Sequence, residues 1–382
     1  MEIEGIDIYS EEPKKITIEN GVIADIQSIE ANSCHRHLSR GFFDMQINGY
    51  NGIDYSSNTL DIQKIQSLTK MLGASGTTKH VPTIITNSKE LICKNLRTIL
   101  DATISDSNIY HAIPAIHVEG PFISKEDGPR GAHDISFIRD PSIEELDAWQ
   151  EASGNLLKLI TIAPEAKNAL EFTKEAVSRG IRIAIGHANP SDEQIDALIE
   201  AGATLSTHLG NGSHALLPRL KNHIWKQVAD DRLTAGIISD GFHVPQSVLK
   251  TFLRTKGIEN IILVSDATLL GGKEPGQYRW GNIDVEVFRD GHLGLLGTAF
   301  LAGAGHLLDW DIKVFMDATG LPLNQVIPAV TINPAKALGV SFQSGDFQIG
   351  EPANLIAFSV ENNRLHVTNA WMGTNYYEGE PK

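Results

Sequence analysis

Glu119, His187 and His208 each stand at the end of an apolar run. Each is followed within three positions by Gly or another turn-forming residue. One carboxylate and two imidazoles make a compact ligand set that suits Zn²⁺ and tolerates Fe²⁺ or Mn²⁺. Three protein ligands leave a coordination position for water, as catalytic sites require. Metal binding there would lower the pKa of that water from about 15.7 to near 7, making hydroxide available at neutral pH. A bland reading competes: a single strand-end histidine is more often a hydrogen-bonded packing group, and a lone Glu can cap a loop. Three such groups at successive strand ends weigh against it. Asp266, in Leu263-Val264-Ser265-Asp266-Ala267-Thr268, ends another apolar run. A carboxylate there could take a proton from the attacking water and later give it to a leaving amine. Its bland reading is a turn or N-cap Asp.

The elements that must carry these groups follow from the pattern. Short apolar runs at 41–48, 77–84, 112–119, 156–164, 181–188, 203–209, 233–240 and 260–267 read as strands. Stretches at 59–73, 88–102, 142–151, 166–179, 191–201 and 244–256 have helical periodicity. Ser142 before Glu144-Glu145 and Ser191 before Asp192-Glu193 are helix start signals. Apolar strands alternating with helices predict a parallel sheet covered on both faces. Eight such units predict a (β/α)8 TIM barrel, with a doubly wound open sheet as the alternative. Gln46, Asn48, Glu119, His187, His208, Asp240 and Asp266 all fall at the C-terminal ends of the runs. A barrel gathers those ends at one mouth, which favours it.

Outside 40–344 the pattern differs. Lys15-Ile16-Thr17-Ile18 before Glu19-Asn20-Gly21 predicts a hairpin, and residues 345–382 return to short β-like runs. Segments 1–39 and 345–382 are expected to pair into one small β-sandwich-like domain flanking a 40–344 barrel. After Asp266, a hairpin is expected over 277–296, turning near Arg289-Asp290-Gly291, followed by a helical stretch from about 300 to 338.

The 382 residues carry a formal charge of −15, with 41% hydrophobic and 21% charged residues. That acidity argues against nucleic acid and against anionic membranes as partners. No apolar run reaches the roughly 18 residues of a membrane helix, and the acidic start Met1-Glu2-Ile3-Glu4 lacks a signal-peptide core. Cys34 and Cys93 form no CxxC pair, so no disulfide framework is expected and a reducing cytoplasm fits best.

The motifs GFFDMQING (41–49), GTTKHVPT (76–83), HVEGPF (117–122), GAH (131–133), APE (163–165), GHAN (186–189), THLGN (207–211), DGFH (240–243), LVSDAT (263–268) and NPAKALG (333–339) occur in this order. Together they resemble the amidohydrolase superfamily and, within it, the N-acetylglucosamine-6-phosphate deacetylase family, from about Gly41 through Phe358. The resemblance implies metal-dependent hydrolysis of the N-acetyl group of an amino-sugar phosphate. It assigns Glu119, His187 and His208 to the metal, Asp266 to acid/base catalysis and His133 to polarising the acetamide carbonyl. It assigns His243 to the sugar phosphate. The superfamily's usual first-strand His-x-His is replaced by Gln46-Ile47-Asn48. Amides are poor ligands for transition metals, so a single divalent ion is expected, with Zn favoured and Fe or Mn possible.

After His208 the family pattern Leu-x-Asn-Ala-Met gives way to Leu209-Gly210-Asn211-Gly212-Ser213-His214. Asn211 is kept and the Ala-Met pair is replaced; Asn211 and Gly212 are the substrate-binding candidates in this loop. Arg219 stands eleven residues after His208, the offset of a family arginine that reaches the phosphate of a neighbouring subunit, which implies a homodimer. The altered loop keeps two other readings open. One is an amidohydrolase of a different N-acyl sugar or cyclic amide. The other is a catalytically silent sugar-phosphate-binding protein.

Overall fold

The computed structural model describes residues 1–30, 36–281, 283–298, 300–343, 345–361 and 364–379. Cys34 lies outside the described residues, and Cys93 is a half-buried free thiol. Eight strands form one sheet in chain order: β1 (Phe42–Ile47), β2 (Thr77–Ile85), β3 (Ile116–Glu119), β4 (Leu157–Ile162), β5 (Arg182–Ile185), β6 (Leu205–Ser206), β7 (Thr234–Ile237) and β8 (Ile261–Leu263). Every neighbouring pair is parallel. The chain just past β8 closes the sheet on β1. The Asp266 N–H donates to the Gln46 carbonyl at 2.9 Å, and the Asn48 N–H donates to the Ala267 carbonyl at 2.9 Å. The result is a TIM barrel, as the alternating pattern predicts.

A helix follows each strand. The helix after β3, Ile143–Ser153, starts where Ser142 caps the Glu145 N–H. The helix after β5, Asp192–Glu200, starts with a capping box between Ser191 and Gln194. The short helix after β6, His223–Ala229, was not legible in the sequence pattern. Side chains alternate along the strands. Phe43, Met45, Val81, Leu159 and Ile262 fill the barrel, while Ile84, Ile160 and Ile183 face the helices. Each such buried side chain contributes roughly 1.5–3 kcal/mol.

His80 on β2 shows what this interior does to a titratable group. It is fully buried, and its Nε2 lies 2.8 Å from the Tyr55 hydroxyl. Burial pushes the imidazole down to about 3. The folded state therefore keeps it neutral while the unfolded chain protonates near pH 6.5. Its stabilising contribution is complete above that pH and is lost as pH falls toward the folded value. The loss runs at about 1.4 kcal/mol per pH unit, or about 2 kcal/mol between pH 6.5 and pH 5. Denaturant titrations of wild type and His80→Gln should show this extra acid sensitivity in the wild type alone.

The two ends of the chain build a second, seven-stranded sheet. Its order runs from Asn375–Glu378 through Arg364–Met372, Asn354–Glu361, His37–Ser39, Glu2–Asp7 and Pro13–Glu19 to Val22–Ser28. The strand His37–Ser39 joins the ends, parallel to Glu2–Asp7 and antiparallel to Asn354–Glu361. The expected early hairpin is present, with Asn20 and Gly21 both at positive φ. Next to the joining strand, the buried Arg40 pairs with Glu351, donates to the carbonyls of Gly345 and Asp346, and lies over the Phe347 ring.

Two expectations after β8 are corrected. The single hairpin is a three-stranded sheet, Gly276–Trp280, Ile283–Val287 and Leu293–Leu295. Gly281, at φ 55°, begins an additional turn. The expected helix from 300 is delayed and broken. Leu308–Thr319 ends at Gly320, and Pro322 and Pro328 split the remainder into short pieces. Among the described residues no helix is long and apolar enough to cross a membrane.

Candidate active site

Glu119 ends β3, His187 follows β5, His208 follows β6 and Asp266 follows β8. The barrel brings all four to one mouth. Glu119 Oε1 lies 3.2 Å from His187 Nε2 and 3.0 Å from His208 Nε2, and the two Nε2 atoms are 3.0 Å apart. All three side chains are buried. His133, from the loop after β3, places its Nε2 3.3 Å from His187 Nε2. The ligand-capable atoms of Glu119, His133 and His187 lie within 4.8 Å of one another.

This cluster fits a divalent cation. His187 Nδ1 sits 2.8 Å from the Pro129 carbonyl, which accepts, so Nδ1 carries the proton and Nε2 presents a lone pair. A lone pair facing a carboxylate oxygen repels it unless positive charge stands between them. Burial lowers His208, yet the Glu119 carboxylate more than reverses this and raises it. Burial pushes Glu119 up, but the two histidines outweigh that and hold it well below the usual range. The carboxylate thus draws positive charge to the point where the two rings meet. Metal–nitrogen bonds of about 2.0–2.1 Å at tetrahedral angles place ligand atoms about 3.3 Å apart, close to the observed spacings.

Backbone strain marks the same residues. His187, His208 and Asp266 have positive φ, at 51°, 28° and 46°. Each costs on the order of 1–3 kcal/mol for a residue with a side chain. Most other non-glycine residues with positive φ are asparagines, which tolerate it. The strain turns the side chains sharply off the strand ends toward the shared mouth.

The first strand supplies what the sequence left unassigned. Gln46 Nε2 donates to Glu119 Oε1 at 3.0 Å and to Asp266 Oδ1 at 3.1 Å. Asn48 Nδ2 donates to Asp266 Oδ1 at 2.7 Å. The Gln-x-Asn pair is therefore an amide bracket for two carboxylates. Burial, with Glu119's charge adding to it, raises Asp266 to about 6, while the Asn48 hydrogen bond works the other way. Asn48→Ala should therefore raise Asp266 further and move the acid limb of the kcat/KM profile to higher pH. A pH–rate series on both proteins measures the shift.

The remaining candidates divide. His133 Nδ1 lies 2.7 Å from the Thr86 hydroxyl, and burial lowers the ring to about 3, so it is neutral. Gly212 stands against the His187 ring, where a Cβ would come within 2.9 Å of Nδ1. Asn211 caps the turn by donating to the His208 carbonyl. His243 is held through Nδ1 by Asp240 Oδ2 at 2.7 Å, a role for Asp240 that the strand-end pattern hinted at without specifying. His214 in the altered loop reaches Glu126 at 2.7 Å, and Asn189 bonds the same carboxylate. Arg130 is tied to Asp127 and to the His133 carbonyl, so it braces the loop. Arg219 is not brought into the cluster: it is exposed, and its carbonyl accepts from the Trp225 indole.

A barrel with a carboxylate–imidazole cluster and a strand-end aspartate is the architecture of a metal-dependent hydrolase. The amidohydrolase family model matches residues 38–377, and the chain belongs to that family. It is a hydrolase acting on an amide C–N bond. More particularly, it is similar to the N-acetylglucosamine-6-phosphate deacetylase of Rattus norvegicus, with 30% identity over 370 residues covering 93% of this chain and 86% of the other. The enzyme of that name from Bacillus subtilis (strain 168) is 28% identical over 327 residues, 84% of this chain and 80% of the other. The N-acetylglucosamine-6-phosphate deacetylase structure from Pasteurella multocida superposes with TM-score 0.85 at 25% identity, covering 99% of both chains. An aspartate-to-alanine variant of the Mycobacterium smegmatis enzyme, solved with N-acetyl-D-glucosamine-6-phosphate, gives 0.83 at 25% identity, covering 95% and 94%.

Proposed function

We propose that this chain hydrolyses N-acetylglucosamine 6-phosphate to glucosamine 6-phosphate and acetate, with Glu119, His187 and His208 holding one divalent cation. The observation that carries this reading is the convergence of those three side chains at 3.0–3.2 Å beside an amide-bracketed Asp266. Zn²⁺ suits the donor set, with Fe²⁺ or Mn²⁺ tolerated. When bound, such an ion supplies Lewis acidity that makes hydroxide available at neutral pH and draws charge from the acyl oxygen.

The chain's own groups do the rest. The Asp266 carboxylate accepts the proton of the attacking water and returns it to the amine nitrogen as the C–N bond breaks. The Thr86 hydroxyl lies 2.7 Å from His133 Nδ1; in the tautomer where Nδ1 accepts, the ring proton is on Nε2, where it donates to the acyl oxygen as charge develops there. Asp240 fixes His243 so that its Nε2 remains for the phosphate end of the substrate. Arg219, exposed between Leu216 and Leu220 at 93% and 78% exposure, supports a homodimer in which it serves the neighbouring site.

Acetate release from N-acetylglucosamine 6-phosphate by the Zn-loaded protein tests the assignment. Turnover of an unphosphorylated or differently acylated sugar, with none of this substrate, would overturn it. The replacement of the family's Ala-Met by Gly212-Ser213, with His214 directly after it tied to Glu126, favours that second reading.

A further inference from the structure

The far end of the barrel holds a second cavity, of about 390 Å³, between the start of β2, the segment 340–343 and the edge of the terminal sheet. Lys79 lines it. Lys79 is paired in register with Phe43 and lies two residues before Val81, both of which fill the barrel, so it belongs to the inward-facing set at the barrel's floor. Ile85, six residues further along β2, is the one that pairs with Glu119. At about 3.3 Å per residue, Lys79 is therefore roughly 20 Å from the catalytic mouth. The Phe342 ring stacks on Phe43 with centroids 5.9 Å apart.

The chemistry of this wall is one-sided. Among the described residues Lys79 and His111 line it and no carboxylate does, in a chain of net charge −15. The Lys79 ammonium donates to the His111 carbonyl at 2.6 Å. Among the described residues it has no acidic partner. Asn354 also lines the cavity; its Oδ1 accepts from Thr78 at 2.6 Å, while its buried Nδ2 has no partner among the described residues. The half-buried Lys79 ammonium has only a neutral carbonyl to offset its charge, and the buried Asn354 amide donor costs free energy until an acceptor arrives. Ile113, Leu156 and Met372 supply an apolar wall for the body of a ligand. The volume matches ordinary small-molecule sites.

We propose that this floor cavity binds a small organic anion, a carboxylate or phosphate monoester on a compact body, with Lys79 as the charged anchor. Burial also holds the Lys79 ammonium down to about 8, which makes it a reactive amine near neutrality. The site is separate from the acyl-transfer chemistry, so its failure would leave the deacetylase reading untouched.

The test uses the full, metal-loaded protein with three probes: inorganic phosphate, glucose 6-phosphate and benzoate. Lys79 is acetylated with an N-hydroxysuccinimide ester and quantified by mass spectrometry, with the exposed Lys70 as internal reference. An occupying probe should slow Lys79 labelling by about tenfold at ten times its dissociation constant, leaving Lys70 unchanged. Protection by phosphate and glucose 6-phosphate, or by benzoate, identifies the anion class. Calorimetry should then show that binding phase lost in Lys79→Met and kept in Lys79→Arg, with kcat unchanged in both. Unchanged Lys79 labelling with all three probes would overturn the proposal. So would equal binding by wild type and Lys79→Met, which would place the ligand at the catalytic mouth.

Discussion

Replacing Asp266 by Asn should lower kcat by about 10²–10⁴-fold while the metal stays bound. The substitution keeps the size of the side chain. It also suits the backbone, because Asn accepts the positive φ of 46° at this position. What disappears is the site that takes a proton from water and returns it to the departing nitrogen. The hydrogen bonds given for the Asp266 carboxylate run to Gln46 and Asn48, both of which the side-chain oxygen of the Asp266→Asn variant can still accept, so the cluster of Glu119, His187 and His208 is expected to keep its geometry. Acetate release gives the rate, and elemental analysis of the dialysed protein gives the metal content. A variant within a few-fold of wild type would remove Asp266 from the proton path.

Glu119→Ala should give the opposite pattern, losing the metal together with the activity. Loss of an outer hydrogen-bond partner typically weakens metal binding by about 10–100-fold, and loss of a direct ligand should exceed that. Among the described residues Glu119 is the carboxylate hydrogen-bonded to both Nε2 atoms, so its removal takes away the nearest charge that attracts the cation. The readout need not be activity. Added Zn²⁺ should raise the melting temperature of the wild type by mass action and leave that of the variant nearly unchanged. Equal metal content in the two proteins would sink the ligand assignment.

Much of this was legible in the sequence, because a parallel barrel turns chain order into geometry. A polar residue after each apolar run must arrive at one rim, so Glu119, His187, His208 and Asp266 could be grouped before any coordinates. The function of Gln46 and Asn48 was not legible. An amide can donate or accept, and only the closure of β1 against the chain after β8 decides that these two bracket carboxylates. The partners of His133 and His187, the Thr86 hydroxyl and the Pro129 carbonyl, depend likewise on loop paths that no periodicity records. The extra turn at Gly281 was missed because strands on both sides of it continue the same alternation. Arg219 remains exposed in a single chain, so its offset from His208 carries meaning only in an assembly.

The strand His37–Ser39 also sets a schedule. Its neighbour on one side, Glu2–Asp7, is synthesised before it, and its neighbour on the other, Asn354–Glu361, more than 300 residues later. At roughly 5–20 residues per second, the ribosome delivers that second neighbour about 17–70 s after the first. Throughout that interval the nascent chain presents an open strand edge of the kind that recruits other strands. Completing the sheet thus has to await synthesis of the whole barrel, and the unpaired edge of His37–Ser39 is the one most exposed to pairing with another chain in that interval.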